Sequence, residues 1–399
     1  MIKLYKFLSI IIIFSLIILT SCADDPDDGL DKLITPTGEA PVITSISPAG
    51  EAIGGVSIIT ITGTNFPITL DGNSSVSFNG VKGTIIETSA TQIRVRTPIV
   101  ISDSVKIKVQ TYKSENFSNE FVYKLTPASQ DIYDFDPDNM GKPISVTVDA
   151  QENVYVYIEG EGIFRVGIDS NFWAPKGPEP LFHSMSYGPD NVIYATRNAR
   201  GIIKITEGTV PAVFVSYVLS VGESATDIDF DENYNIWTAT NGTILRVKLD
   251  KDIKRFEVEG NVKTLKVFNN NIFAAVKVDT QEVVWKIPII SADSLGTPEV
   301  YFNFTTALGK VLTINDIAIS LDGDIYLATA ALFDPIYIVH PDKSFEILYP
   351  GVINSSISSL YWGNGKYLYA VKDLQGTTIN QTVIKLDMQK NGAPYYGRQ

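Results

Sequence analysis

The stretch 235–247, Asn-Ile-Trp-Thr-Ala-Thr-Asn-Gly-Thr-Ile-Leu-Arg-Val, is one of six copies of a pattern in the C-terminal two thirds of the chain. Each copy has a polar turn, a short strand that usually carries an aromatic residue, a gap, and a second strand. In five of the six copies the second strand places a basic residue between apolar ones. Successive second strands are spaced by 39, 42, 40, 52 and 47 residues. They begin at Ile163, Ile202, Ile244, Val284, Ile336 and Val383.

This repeat predicts the fold of most of the chain. A period near ~40 residues with several short strands in each unit is the signature of a β-propeller blade. Each copy begins with an inner strand, such as 144–148 or 226–230, and a tight polar turn leads to the aromatic strand. We therefore expect an all-β protein with a six-bladed propeller over residues 125–399. The approximate blade limits are 140–178, 179–220, 221–260, 261–308, 309–351 and 352–399.

Residues 322–329, Asp-Gly-Asp-Ile-Tyr-Leu-Ala-Thr, carry a resemblance to a known family. An inner strand, an Asp-x-x-Gly-Asn-like turn and a strand with Tyr-x-Ala follow one another in the blades of NHL-repeat propellers, which this order resembles. The fourth copy departs most, with Asn-Asn-Asn at 269–271 as its turn and a long insertion at 288–300. The resemblance implies the fold. It does not extend to the activity of any individual NHL protein.

Composition excludes several classes of function. The chain has 399 residues, 44% hydrophobic and 19% charged, which is typical of a globular protein of two or three folded units. A net charge of −13, with no Lys/Arg-rich run beyond the first six residues, argues against nucleic acid as a partner. A single cysteine excludes an internal disulfide, and two histidines leave little for a histidine-built metal site or catalytic triad.

Residues 1–22 are typical of a bacterial export signal. Lys3 and Lys6 give a positive start, and the apolar run 7–19 is too short to span a bilayer core of about 30 Å comfortably. The run ends in Leu-Thr-Ser-Cys at 19–22, which resembles the lipobox of bacterial lipoproteins. The resemblance implies cleavage before Cys22 and lipidation of its thiol. The alternative is a buried or incidental thiol in an uncleaved anchor.

Residues 23–40 predict an acidic linker. Four aspartates lie between 24 and 28, with Pro and Gly nearby, and such a segment stays solvated because it has little apolar surface to bury. It resembles the acidic stretch that follows the lipidated cysteine in surface-exposed lipoproteins of Bacteroidetes. The expected location is therefore the outer membrane, with a lipid anchor and exposure at the cell surface.

Residues 41–124 alternate polar and apolar positions like an antiparallel sandwich, and their number suits an immunoglobulin-like domain. Ile-Thr-Ser-Ile-Ser-Pro at 43–48 and Ile-Thr-Ile-Thr-Gly-Thr-Asn-Phe at 59–66 resemble the opening of IPT/TIG domains. Val-Ser-Phe-Asn-Gly at 76–80 and Ser-Asn-Glu-Phe-Val-Tyr at 118–123 match the middle and end of that family. The resemblance implies a spacer or interaction module.

Residues 125–143 connect the sandwich to the propeller. Asp-Phe-Asp-Pro-Asp-Asn at 134–139 has the alternating carboxylates of a calcium loop. However, Asn139 stands where a helix–loop–helix calcium loop needs glycine, and Ser145 stands where it needs an acid. An acidic turn is therefore favoured over calcium, and no cofactor is predicted. Residues 131–135 could instead be a strand that pairs into the last blade and closes the ring.

Loops between the second and third strands of the blades supply the first candidates for ligand contact. Arg197 and Arg200 could grip a carboxylate, a sulfate or a hydroxyl-rich ligand through their fork-shaped donors. The alternative is a solvated loop with local ion pairs. Phe333, beside Asp334, could be an exposed aromatic platform or an anchor tucked under its own loop.

Two tryptophans lie outside the regular strand positions. Trp173 lies in a loop, and Trp362, with the adjacent Tyr361, precedes a Gly-Asn-Gly turn. An indole face can stack on the apolar face of a sugar ring while neighbouring polar groups meet the hydroxyls. The alternative for each is packing under a loop. Both are expected on the propeller face opposite Arg197, so the two sets cannot serve one small site.

Catalysis has little support in the motifs. The chain has no Gly-x-Ser-x-Gly elbow, no His-Glu-x-x-His and no phosphate loop. His183 in an inner strand and His340 after a strand are better explained as structural residues. The 45 acidic residues could nevertheless supply the carboxylate pair of a glycosidase without a visible motif. Propeller lactonases that hold calcium around the shaft are a further alternative.

The predicted order of parts resembles accessory surface lipoproteins of Bacteroidetes that work beside TonB-dependent uptake systems. The hypothesis is a non-catalytic lipoprotein that captures an extracellular glycan for an outer-membrane TonB-dependent transporter. One alternative is a propeller hydrolase or lyase acting on a glycan or lactone. The other is an interaction or scaffold subunit of a transporter, or a lipoprotein that binds a siderophore or peptide.

Overall fold

A computed structural model of the chain describes residues 38–67, 74–134, 141–167, 172–175, 182–197, 201–217, 224–373 and 382–398. The predicted export signal with Cys22, most of the acidic linker, Arg200 and residues 135–139 of the calcium alternative lie outside these ranges. The described part consists mainly of β-strands, as predicted. None of its helices is long and apolar enough to cross a membrane.

The N-terminal part is a sandwich of two sheets, with strand orders β1-β3-β7-β6 and β2-β9-β8-β4-β5. The strands are β1 (Val42–Ser47), β2 (Glu51–Ile53), β3 (Ile58–Thr64), β4 (Ser75–Phe78), β5 (Val81–Lys82), β6 (Thr84–Thr88), β7 (Gln92–Arg96), β8 (Ser102–Gln110) and β9 (Phe121–Thr126). Alternate residues are fully buried, such as Ile59 and Ile61 in β3 and Val76 and Phe78 in β4. The two inner faces therefore form the core, as expected for an immunoglobulin-like fold.

The remaining described residues form six sheets that are the blades of a propeller. Blades one to three consist of β11 (Pro143–Val148), β12 (Val154–Ile158), β13 (Gly162–Arg165), β14 (Phe172–Pro175), β15 (Phe182–Gly188), β16 (Val192–Arg197), β17 (Gly201–Ile205), β18 (Ala212–Ser216), β19 (Ala225–Phe230), β20 (Ile236–Thr240), β21 (Thr243–Val247) and β22 (Ile253–Glu257). Blades four to six consist of β23 (Asn261–Phe268), β24 (Asn271–Val278), β25 (Gln281–Ser291), β26 (Ser294–Leu295), β27 (Glu299–Asn303), β28 (Ile314–Ile319), β29 (Ile325–Thr329), β30 (Ile336–Val339), β31 (Phe345–Ile347), β32 (Ser356–Trp362), β33 (Tyr367–Asp373), β34 (Thr382–Asp387) and β10 (Ser129–Asp134). The short helix α1 (Phe304–Leu308) follows β27, and 3-10 turns lie at Pro189–Asn191 and Tyr396–Arg398.

The ring is closed by β10, which precedes blade one in sequence but is the outer strand of blade six. β10 pairs antiparallel with β34, with Ser129 opposite Leu386 and Asp134 opposite Thr382. The prediction that a strand near 131–135 pairs into the last blade is therefore confirmed. The first strands of the blades (β11, β15, β19, β23, β28 and β32) contact one another in this order, and β32 contacts β11. These six inner strands enclose a central shaft.

Apolar side chains between neighbouring blades form the core. Between blades three and four, Trp237 and Ile244 pack in one cluster with Leu265 and Ile272, all without exposed surface. The aromatic positions of the repeat are thus buried packing positions. Burial on both faces explains why the second and third strands of each blade read as nearly continuous apolar runs.

The polar turn of the repeat fixes the aromatic strand that follows it. Asp149 accepts hydrogen bonds from the backbone N–H of Asn153 at 2.8 Å and from the Tyr155 hydroxyl at 3.0 Å. In blade three, Asp231 accepts from the Trp237 indole N–H at 2.9 Å in the same way. A single carboxylate thus satisfies both the turn and the buried polar end of the aromatic ring, which explains why the two recur together.

The antiparallel order of each blade defines two faces of the propeller. The turns after the inner strands, such as 149–153 and 320–324, lie on one face, which we call the turn face. The turns after the second strands, such as 330–335, and the loops that lead into the inner strands lie on the other, the entry face. Candidate ligand contacts can therefore be sorted by face.

The fourth blade carries the predicted insertion. β25 extends over 11 residues, returns through β26, and β27 then pairs with β25 as the outer strand. Arg246 of blade three donates from Nε to the carbonyl of Ala292 at 2.8 Å, and its guanidinium also contacts Asp293. The insertion is therefore fastened to the neighbouring blade.

Candidate functional site: the propeller shaft

Inner-strand side chains meet in the shaft and bond from blade to blade. Ser145 and Thr147 of β11 accept from the backbone N–H groups of Met185 and Tyr187 in β15, at 3.1 and 2.9 Å. Because side chains alternate along a strand, every second inner-strand residue can face the shaft. The charged ones come from blades three, four and five.

Asp227 is the centre of a cluster near the entry face, which we call the shaft mouth. Its Oδ1 accepts from Ser184 Oγ at 2.6 Å and from the next backbone N–H at 2.8 Å. Its Oδ2 accepts from Lys266 Nζ and from the backbone N–H of Leu265, both at 2.9 Å. Thr264 Oγ1 lies 2.7 Å from the same oxygen. Both oxygens of this 3% exposed carboxylate are therefore saturated by donors of the protein.

Thr264 joins Asp227 to a second buried acid, Asp316. Its Oγ1 lies 2.7 Å from Asp227 Oδ2 and 2.7 Å from Asp316 Oδ1. A hydroxyl has one hydrogen to donate, so two ionised carboxylates cannot both be satisfied by it. A proton on one acid would satisfy both contacts, because that acid would donate to Thr264 while Thr264 donates to the other acid.

The charges around the shaft mouth decide which acid holds that proton. Burial alone would raise the pKa of Asp227, but Lys266 and the hydroxyl donors outweigh it and lower that pKa below its ordinary value. Burial raises the pKa of Asp316, where Lys266 Nζ is more distant, at 3.7 Å. Burial would lower the pKa of Lys266, yet the surrounding carboxylates, Asp227 first, raise it. These opposite directions make Asp227 the acid that keeps its negative charge more readily and Asp316 the acid that holds a proton more readily.

The C-terminal segment closes the shaft at the turn face. The backbone N–H of Leu321 donates to the carbonyl of Asn391, and that of Ala393 donates to Ile319, both at 2.9 Å. Further along, the Tyr395 hydroxyl donates to the carbonyl of Tyr187 at 2.8 Å. These bonds hold the segment against inner strands of blades two and five, across the end of the shaft.

A cavity of about 40 Å³ lies between this segment and inner-strand residues of the shaft that include Asp229 and Lys266. Asp229 Oδ1 and Arg398 Nη1 are both buried beside it, and neither has a hydrogen-bond partner among the described residues. Burial raises the pKa of Asp229 to about 7. The Arg398 guanidinium carbon also lies 4.7 Å from the Tyr395 ring centroid. This volume is large enough for a water molecule that could bridge the two groups.

The structure places both predicted tryptophan platforms in the core. Trp173 is 7% exposed and packs edge-on against Tyr155 at 5.0 Å. Trp362 is 6% exposed, packs against Tyr326 at 5.2 Å, and donates from Nε1 to a backbone carbonyl. Tyr361 is equally buried. These three aromatic rings are therefore covered by the protein. The prediction that they contact a glycan is corrected, and the alternative, packing, is the one the structure has.

The structure describes two of the three entry-face candidates, Arg197 and Phe333, and they differ in exposure. Arg197 ends β16 and is partly buried, and Arg200 lies outside the described residues. Phe333 is 70% exposed, and the preceding Leu332 is 57% exposed. Of the predicted ligand contacts that the structure describes, Phe333 presents the open aromatic surface that the platform interpretation requires.

The loop that carries Phe333 is fixed by its neighbour Asp334. The Asp334 backbone N–H donates to the carbonyl of Ile353 at 3.0 Å, and its Oδ1 accepts from the N–H of Gly351 at 2.7 Å. Asp334 has a positive φ of 51°, which turns the chain sharply at this point. The aromatic tip is therefore projected into solvent from an anchored base.

The two histidines are not brought together. His183 is exposed, whereas His340 Nδ1 lies 2.9 Å from Asp324 Oδ1 in the turn of blade five, where the carboxylate raises its pKa. No group of three or more His, Cys, Asp or Glu side chains in the described ranges is arranged to hold a metal ion.

The sequence did not predict the buried acidic pair of Asp227 and Asp316 with Lys266. Thr-Asp-Ile-Asp-Phe at 226–230, where two acids alternate within an inner strand, marks Asp227 but gives no signal of its contact with Asp316.

Comparison with solved structures supports the fold. A candidate phosphatase from Bacteroides thetaiotaomicron superposes with a TM-score of 0.53 at 11% identity, covering 88% of this chain and 97% of that one. A luciferin-regenerating enzyme superposes with a TM-score of 0.52 at 13% identity, covering 68% and 98%. An auxiliary nutrient binding protein from Bacteroides thetaiotaomicron superposes with a TM-score of 0.48 at 10% identity, covering 88% of this chain and 98% of that one.

Comparison with curated proteins finds no match in sequence. The comparison with family models matches the model of the IPT/TIG domain over residues 41–124, the range predicted from the motifs. The match covers the sandwich and leaves the propeller unassigned. The N-terminal sandwich of this chain is therefore an IPT/TIG domain.

Proposed function

We propose that this chain is a non-catalytic capture protein of the bacterial cell surface, which binds an extracellular glycan on the entry face of its propeller. Lipid on Cys22 and the acidic linker would hold it at the outer membrane, beside a TonB-dependent transporter that imports the glycan. The observation that carries the proposal is the exposed aromatic ring of Phe333 on an anchored loop.

The Phe333 loop has the properties of a recognition element. A phenyl ring offers a flat apolar surface for the CH face of a sugar, while polar neighbours can meet the hydroxyls. Because Asp334 already fixes the loop through Gly351 and Ile353, the backbone that carries the ring loses little further freedom when a ligand binds. An anchored tip with two adjacent exposed apolar side chains is therefore suited to binding, not to packing.

The shaft mouth favours binding over catalysis. A general base or nucleophile needs a free lone pair within reach of the substrate. Asp227 has both oxygens engaged by protein donors, Lys266 among them. Chemistry at this carboxylate would require breaking that network. The Lys266 and Asp316 side chains, 17% and 11% exposed, could still offer a donor and an acceptor to a sugar hydroxyl.

Affinity gel electrophoresis against a panel of neutral and acidic polysaccharides tests the proposal with the mature full-length chain. Calorimetry on the retained polysaccharide then compares the wild type with Phe333→Ala. We expect an affinity loss of about tenfold, which corresponds to about 1.4 kcal/mol. Leu321→Ala is the matched control, because Leu321 is 56% exposed in the same blade but on the turn face. Retention of no polysaccharide, or equal affinity of Phe333→Ala and the wild type, would overturn the proposal.

A second candidate function rests on the Asp316–Thr264–Asp227 arrangement. A protonated acid linked through a hydroxyl to an ionised acid could move a proton during hydrolysis or elimination on a glycan or lactone. The discriminating measurement is the release of reducing ends or unsaturated products from the retained polysaccharide. Capture predicts binding without release. A hydrolase or lyase predicts release that Asp316→Asn abolishes.

A further inference from the structure

The IPT/TIG domain carries a groove of about 440 Å³, and the residues that line it belong to the sandwich and not to the propeller. This volume is within the range of small-ligand sites. Its floor is formed by β4, β5 and β8. Ser77 pairs across the strands with Lys82 on one side and with Lys108 on the other, so the three side chains lie in one row on the same face.

Positive charge is concentrated in this groove. Lys106 lies two residues before Lys108 on β8 and therefore shares its face. Glu120 pairs with both, at 3.1 Å to Lys106 Nζ and 2.9 Å to Lys108 Nζ. Three lysines, counting Lys82, and one glutamate leave a net charge of +2 among these four groove residues, whereas the whole chain carries −13. The groove thus differs in sign from the protein as a whole.

An aromatic ring borders the charged row. Phe117 lines the groove, is 50% exposed, and its ring centroid lies 6.0 Å from Lys108 Nζ. The polar side chains of Ser77 and Gln110 lie on the same floor. The groove therefore combines cations, hydroxyl-binding groups and one apolar face.

We infer that this groove binds an anionic glycan, a polysaccharide that carries carboxylate or sulfate groups. Lys82 and Lys108, at the two ends of the row, would each bind one anionic group of the glycan. Ser77, in the middle of the row, would bind a hydroxyl. Phe117 would cover the apolar face of a sugar ring, as aromatic side chains do beside polar groups. An acidic peptide adding as a strand would need an edge longer than the two residues of β5. The inference is independent of the Phe333 site, because the groove lies entirely on the sandwich.

Affinity gel electrophoresis of the full-length chain in polygalacturonate, dextran sulfate and neutral dextran tests this inference at low and high salt. We expect retardation by an anionic polysaccharide at low salt, its loss at high salt, and no retardation by neutral dextran. Lys82→Gln with Lys108→Gln should weaken binding at least about tenfold, because it removes two charge-assisted contacts. Phe117→Ala should also weaken binding, because it removes the apolar face beside the charged row.

The control for charge is Lys251→Gln with Lys254→Gln, two exposed lysines of blade three that lie off the entry face. Lys82 is exposed and Lys108 is partly exposed, so their replacement should change the thermal unfolding temperature little. Three results would each overturn the inference: retardation by no anionic polysaccharide, full binding by the groove double variant, or displacement by polyglutamate as effective as by polygalacturonate. The last result would assign the groove to an acidic polypeptide.

Discussion

At the scale of single residues, Asp229 is the shaft acid whose carboxylate is least fully hydrogen-bonded. Its Oδ2 accepts from the backbone N–H of Val267 at 2.7 Å, while its Oδ1 has no partner in the described part of the chain. Burial raises its pKa to about 7, against an opposing effect of Lys266 and a supporting one of Asp227. Arg398, Tyr361 and Tyr395 face the same cavity. The group is therefore neutral in the folded protein at mildly acidic pH.

Asp229 gives a pH dependence whose sign can be worked out. Between the ordinary pKa of 3.8 and about 7, the folded protein holds a proton that the unfolded chain has lost. The free energy of unfolding therefore falls by up to about 1.4 kcal/mol per pH unit over this window, and this contribution levels off above it. Asp229→Asn keeps an acceptor for Val267 but cannot ionise, so it should remove this contribution.

Denaturant titrations at several pH values between about 4 and 8 measure the effect as the difference between wild type and Asp229→Asn. We expect the variant to gain relative stability as the pH rises. The exposed Glu259→Gln serves as a control and should show no such trend. A pH-independent difference for Asp229→Asn would show that this acid ionises in the folded protein as freely as in the unfolded chain.

Lys266 compensates the buried charge of Asp227, and its removal should be costly. In Lys266→Met the ionised Asp227 would lose its cation while only 4% of its side chain is exposed. We expect a loss of about 3–5 kcal/mol in the free energy of unfolding, as for other broken buried pairs. Adding Asp227→Asn should recover part of that loss, because it removes the uncompensated charge. A loss under about 1 kcal/mol, or no recovery in the double variant, would contradict the proposed charges.

At the scale of elements, the structure explains the basic residue that recurs in the third strand of the blades, which is the second strand of the repeat in the sequence. In blade one Arg165 bonds to Asn153 in the turn, and in blade four Lys286 pairs with Glu299 of the outer strand at 3.4 Å. In blade three Arg246 is 1% exposed and binds the Asp252 carboxylate at 2.7 Å as well as the blade-four insertion. The sequence pattern predicted this position. It did not predict the partners, because they come from a turn, from another strand and from the insertion of blade four.

Replacing Arg246 tests whether it fastens the insertion to blade three. Arg246→Met should lower the free energy of unfolding by about 2–4 kcal/mol, since several charge-assisted bonds to a buried guanidinium are lost. Hydrogen exchange should become faster in residues 288–295. Arg255→Met on the next strand, where the guanidinium bonds to the 76% exposed Glu257, should cost less than about 1 kcal/mol. Unchanged exchange in the insertion would contradict this role.

Local chemistry explains which elements could be predicted from the sequence. The blade repeat was recognisable because one carboxylate, such as Asp149 or Asp231, fixes both a turn and the following aromatic residue. Trp173 and Trp362 were less predictable, because a tryptophan next to a loop can turn outward or inward. Packing against Tyr155 and Tyr326 decides the orientation, and those contacts depend on the finished blades.

The shaft mouth exists only at the scale of the whole propeller. Asp227, Thr264 and Asp316 belong to three different blades and meet only when the inner strands are arranged around one shaft. Each looks like an ordinary polar residue in its own strand, so spacing along the chain could not predict their contact. The C-terminal segment is similar, since Tyr395 reaches Tyr187 of blade two only across the assembled turn face.

The central claim is that the propeller captures a glycan on its entry face, and hydrogen–deuterium exchange tests it most directly. The full-length chain would be compared with and without the polysaccharide that affinity electrophoresis selects. We predict slower exchange in residues 330–335, around Phe333, and unchanged exchange in the turns 149–153 and 320–324 of the turn face. Protection confined to the turn face, or no protection anywhere in the propeller while the polysaccharide is bound, would contradict the account.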